Sequence, residues 1–198
     1  MAKKSALIFL MMFVNLSMSY ADNAEDWPCI QRYTPELSPT VVWGLEAGIS
    51  PIELDQKTLK QVIRLSTNLR KDILLVESTI AEYLRSRQHI PEIHNHLFYE
   101  IFEKIQSKRK KVLGGIFRYS AKQQKLALRI DKQRKLIDQE QSKEDINTTE
   151  LEDLENRQMW DSRAFRERKQ QLSYLCEKPV NLEQRLYFVA KALKQHQE

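Results

Sequence analysis

From Leu54 to Arg87 the chain has neither glycine nor proline, and apolar residues recur every three or four positions: Val62, Leu65, Leu69, Ile73, Val76, Ile80 and Tyr83. That spacing keeps one stripe of a helix apolar and does not fit the two-residue alternation of a strand. It predicts a single helix over 54–87 with a coiled-coil seam. The helix is expected to end near His89-Ile90-Pro91, because proline disfavours helix in the residue before it. A second, longer helix is predicted from Glu92 to about Gln141, along Leu97, Phe98, Ile101, Ile105, Val112, Ile116, Tyr119, Leu126, Ile130 and Ile137. Gly114 and Gly115 interrupt it, and glycine in a helix interior costs about 1 kcal/mol relative to alanine, so a hinge is predicted there. After a turn over 142–148, Thr148 or Thr149 can cap a third helix over 150–175, with Leu151, Leu154, Trp160, Phe165, Leu172 and Leu175. Pro179 is expected to break it, leaving a short fourth helix over 182–194 with Leu182, Leu186, Val189 and Leu193 on one face.

Only four glycines occur in 198 residues, too few for the turns of a multi-stranded β fold or for a glycine-rich nucleotide cradle. The predicted fold class is therefore all-α. Short turns between long helices force antiparallel neighbours, giving an elongated antiparallel helical bundle with a coiled-coil hairpin. In that arrangement the second helix is the spine, with the first packed on one half and the third on the other.

The N-terminal quarter is different. Lys3 and Lys4, the apolar run Ala6 to Val14 and the small residues Ser19 and Ala21 fit a secretory signal peptide over 1–21, cut after Ala21. The apolar run is too short for a spanning helix, which needs about 20 residues. Residues 22–53 carry Pro28, Pro35, Pro39, Pro51, Gly44 and Gly48, a composition that predicts an irregular strap before the helical bundle of 54–198. One short helix fits within it: Ser38 as N-cap, Pro39 at the first position, Thr40 to Ala47, and Gly48 as the stop. Trp27 and Trp43 are expected to anchor the strap; the rival role is an exposed pair that grips a ligand.

Export makes the two cysteines readable. In an oxidising compartment Cys29 and Cys176, the only pair, are expected to form one disulfide that ties the strap to the last long helix. The rival, a redox or metal-ligand pair, lacks CxxC spacing and a nearby histidine.

Charge is unevenly spread. From Lys104 to Lys135 there are twelve Lys and Arg against Asp131 alone, a net charge of +11. From Asp138 to Glu155 eight acids face Lys143 alone, a net charge of −7. Lys108, Arg109, Lys110, Lys111, Arg118, Lys122, Lys125, Arg129 and Lys132 are thus candidates for a basic surface that meets anionic lipid or an acidic partner. The plainer expectation is that this helix pairs with the acidic start of the third and is otherwise solvated.

His89, His94 and His96 cluster near the first turn, and His96 with Glu100 has the four-residue spacing that can hold a metal. No second helix offers matching ligands, so His94, His96 and Glu100 are weak metal candidates and no cofactor is expected. There is no Gly-x-Ser-x-Gly, no phosphate loop and no nucleophile set beside a base, and no enzyme is expected.

The segments Asp26-Trp27-Pro28-Cys29-Ile30-Gln31-Arg32 and Tyr174-Leu175-Cys176-Glu177-Lys178-Pro179, with Leu182-Glu183-Gln184-Arg185 following, resemble a group of exported helical proteins of Gram-negative bacteria. The resemblance implies a periplasmic location and brings no activity with it. The expected function is a non-enzymatic periplasmic scaffold or adaptor with a protein partner in the cell envelope. The alternative is a chaperone-like or anionic-membrane-surface protein that uses the basic arm 104–135. Export makes a nucleic-acid partner unexpected.

Overall fold

The computed structural model describes residues 26–44, 54–90 and 92–196. The expected signal peptide lies outside them, as does the expected end of the short strap helix at Ala47 and Gly48. About 79% of the described residues are helical, and none of them forms a strand. Five helices follow one another: α1 Pro39–Trp43, α2 Gln56–Ser66, α3 Ile73–Arg85, α4 Ile93–Gln141 and α5 Thr148–Gln195. At 1.5 Å per residue α4 and α5 are each about 70 Å long. They run antiparallel over their whole length. No helix among the described residues is long and apolar enough to cross a membrane.

The hairpin of α4 and α5 has two regions. At the base, α2 packs on α4 and α3 on α5, and the two short helices also meet each other. The core there joins Leu59, Val62, Val76, Ile80, Leu97, Phe98, Ile101, Ile105, Leu186 and Val189. Beyond the base, α4 and α5 continue alone as a two-helix arm whose turn, 142–147, is the tip. Each end of that turn is capped. Ser142 Oγ donates to the Asp138 carbonyl at the end of α4 and Asn147 accepts from the Glu150 N–H at the start of α5, while Glu140 ties the turn by accepting from Lys143 and the Asn147 N–H.

Three expectations need correction. The helix foreseen over 54–87 is two helices, because polar side chains compete for the backbone between them. Asn68 accepts from the Arg70 N–H and Asp72 caps α3 by accepting from Leu74 N–H. Leu69 and Ile73, counted as seam residues, are 36% and 37% exposed at this turn. Pro179 does not end a helix: α5 passes through it without a break. The lost hydrogen bond and ring clash cost about 3 kcal/mol. Burial of Cys176 before the proline and of Leu182, Leu186, Val189 and Leu193 after it offsets that cost by holding both halves on the same core. The strap helix has Ser38 as its cap and Pro39 at its start, as expected, but closes at Gly44, whose φ of 91° only glycine adopts readily.

Gly114 and Gly115 lie inside α4, which is helical throughout. An added Cβ at Gly114 would meet only the guanidinium end of Arg118, 3.3 Å away, and at Gly115 the same group at 4.0 Å.

Candidate functional site

The strap is fastened to the hairpin at several points along its length. Cys29 and Cys176 are bonded to each other, as expected. Trp27 packs tilted and Tyr33 edge-on against Phe117 of α4, at centroid distances of 5.4 and 5.3 Å. Arg109 Nη1 donates to the Pro35 carbonyl at 3.1 Å and Arg109 Nε to Glu183 of α5 at 2.7 Å. Arg109 was a candidate for the basic surface, but it is 2% exposed and serves as an internal clasp of strap, α4 and α5. Trp43 is buried, stacked on Phe98 at 4.5 Å, with its indole N–H bonded to Asn95. Both strap tryptophans therefore work as anchors.

The other basic candidates divide by position. Lys110, Lys122, Lys125 and Lys132 are exposed along α4. Arg118 lies over Gly114. Arg129 is bonded through two nitrogens to Asp161, at 2.7 and 2.5 Å, and Gln133 also donates to that carboxylate. These donors hold the Asp161 carboxyl below the usual range. The hairpin register sets Tyr119 against Arg168 and Gln171, Gln123 against Phe165, and Gln141 against Glu155. The acidic stretch 138–155 thus folds onto itself at the tip and does not face the basic stretch, contrary to the expected pairing.

Lys108 and Lys111 sit at the base, beside the turn between α2 and α3. The Lys108 ammonium donates to the Thr67 carbonyl at 2.7 Å and the Thr67 hydroxyl at 2.8 Å. Arg185 donates to the Lys71 carbonyl at 2.7 Å. One cation from each long helix therefore holds carbonyls that neither α2 nor α3 satisfies. Burial, with the neighbouring charge of Lys104 adding to it, lowers the Lys108 pKa. Arg64, Arg70 and Lys178 join Lys108 and Lys111 around one groove here. Lys108 and Lys111 belong to the basic run read from the sequence, but Arg64, Arg70 and Lys178 come from three other segments and carry no local signal that they join it.

The histidines are not gathered. His94 Nε2 meets the His196 carbonyl at 2.8 Å, and partial burial lowers its pKa. His96 is buried with Nδ1 unbonded, and His89 is exposed. Among the described residues no three His, Cys, Asp or Glu are placed to hold a metal.

The arm is covered unequally. Along it α4 buries Leu113, Ile116, Leu126, Ile130 and Ile137, whereas α5 buries no side chain fully between Thr148 and Leu175. Leu128, Met159 and Trp160 are 70%, 54% and 62% exposed. Comparison with protein-family models, curated proteins and solved structures finds no match to this chain.

Proposed function

We propose that the protein is a non-enzymatic helical interaction protein of the periplasm, a scaffold or adaptor whose two-helix arm meets a protein partner of the cell envelope. The uneven covering of the arm carries this reading. An arm in which α4 buries its apolar residues fully while Leu151, Leu154 and Phe165 of α5 are only half-covered leaves apolar area in water, at about 25 cal/mol per Å². Large exposed side chains such as Trp160 and Met159 are the residue types that supply anchors at interfaces. The base, closed by its core, the disulfide and the Arg109 clasp, gives the arm a fixed mount.

The test is site-specific photo-crosslinking in intact cells, with the photoreactive residue at Trp160, at Leu128 or, as a control on the base, at Glu82. Mass spectrometry then identifies what is captured. One dominant protein captured from Trp160 and Leu128 but not from Glu82 is the expected result. Capture from Glu82 alone, or from none of the three, would overturn the reading.

A further inference from the structure

We propose that the groove beside the α2–α3 turn binds a phosphate group carried on an apolar body, as in an anionic lipid headgroup. The groove has a volume of about 480 Å³ and is bordered by Arg64, Arg70, Lys108, Lys111 and Lys178. Its floor is apolar, formed by Val112 and the buried Leu182, with Leu69 at the edge. No carboxylate lines it, and none of the five cations is in an ion pair among the described residues.

Elsewhere Arg129, Arg134, Arg157 and Arg163 each have an acidic partner, while the exposed Lys110, Lys122, Lys125 and Lys132 are strung singly along α4 and do not surround a hollow. Five like charges around one concave space repel one another, and low-dielectric walls strengthen the potential they share. An anion relieves that repulsion. Arginine and lysine together suit phosphate, the arginines through paired N–H groups and the lysines as point charges. The apolar floor accounts for the second half of the ligand, since a bare ion would gain nothing from Val112 and Leu182. Lys108 has a fixed position through Thr67, so at least one ammonium of the site is placed before a ligand arrives. The site lies on the base and does not depend on what the arm contacts.

The test uses the purified full chain and two probes. The first is phosphatidylcholine vesicles with and without phosphatidylglycerol, and the second is inorganic phosphate followed by calorimetry. The triple variant Arg70→Gln, Lys111→Gln, Lys178→Gln removes three exposed cations of the groove and spares the structural Lys108. A control of equal charge change, Lys57→Gln, Arg85→Gln, Arg166→Gln, lies outside it. Circular dichroism checks that both keep their helix. The wild type is expected to bind only the vesicles that contain phosphatidylglycerol, less tightly as salt rises. The groove variant should bind roughly a hundredfold more weakly, and the control should match the wild type. Binding of inorganic phosphate alone, lost in the groove variant, also supports a phosphate site and makes its source a soluble compound. Equal weakening in both variants, no weakening in the groove variant, or no binding of either probe by the wild type would overturn the proposal.

Discussion

Arg109 Nε lies 2.7 Å from Glu183 Oε1 and joins α4 to α5 at the point where the strap crosses them. The two side chains are unequal: that of Arg109 is 3% exposed and that of Glu183 38%. The guanidinium is therefore the desolvated partner, and it also carries the bond to Pro35.

Replacing Arg109 with Met keeps much of the volume but removes both bonds. A loss of about 2–3 kcal/mol is expected from urea unfolding. Glu183→Gln leaves an acceptor in place at a half-open position and should cost under about 1 kcal/mol. If the two variants lose the same amount, the clasp acts through the ion pair alone and the strap bond contributes nothing.

The disulfide spans 147 residues. Chain-entropy arguments give such a loop about 5 kcal/mol of stabilisation, acting on the unfolded chain. Reduction should expose two thiols to alkylation and lower the unfolding midpoint. With Cys29 released, Phe117 is the ring of α4 that still holds Trp27, whose other contacts, Tyr33 and the Gln31 carbonyl, lie within the strap, so its fluorescence should shift to the red. Two thiols reactive without reductant would contradict the bond.

Alanine at Gly114 or Gly115 meets only the mobile end of Arg118. Each substitution is expected to raise stability by up to about 1 kcal/mol, with the gain at Gly114 the smaller because of its closer contact. Calorimetry reads the change in Tm. A drop in Tm at both positions would mean that bending there is needed for the native fold.

Acid should weaken the arm through Asp161. Its carboxyl is held low by Arg129, with Gln133 as a further donor. A carboxyl with a depressed folded pKa lends stability that is fully present above its unfolded pKa of about 3.9 and is lost as pH falls through the folded value. The difference in urea midpoint between wild type and Asp161→Asn should therefore be greatest near neutral pH and shrink steadily below about pH 4. A difference that does not change with pH would assign the effect to packing.

How much of this was legible in the chain depends on the distance over which each feature is decided. Helix over 93–141 follows from local spacing, since residues three and four apart share a face whatever lies opposite. The pairing of Cys29 with Cys176 follows from their number and the expected compartment. Ser38 and Pro39 mark a helix start for reasons contained in two residues. The break at 67–72 had a local signal too, in Asn68 and Asp72, but the apolar seam running across it masked that signal.

The rest belongs to the tertiary structure. Continuation of α5 through Pro179 runs against local preference and holds because the residues on both sides bury against one core. The burial of Arg109 depends on Pro35 and Glu183, each 74 positions away, and the hold of Arg185 on Lys71 spans 114. The cationic groove needs α2, the turn after it, α4 and α5 in one place. Sequence periodicity determines which face of a helix is apolar, because that is set within a turn or two of chain. Which polar groups meet across helices is set by register and docking, and only the folded chain contains them.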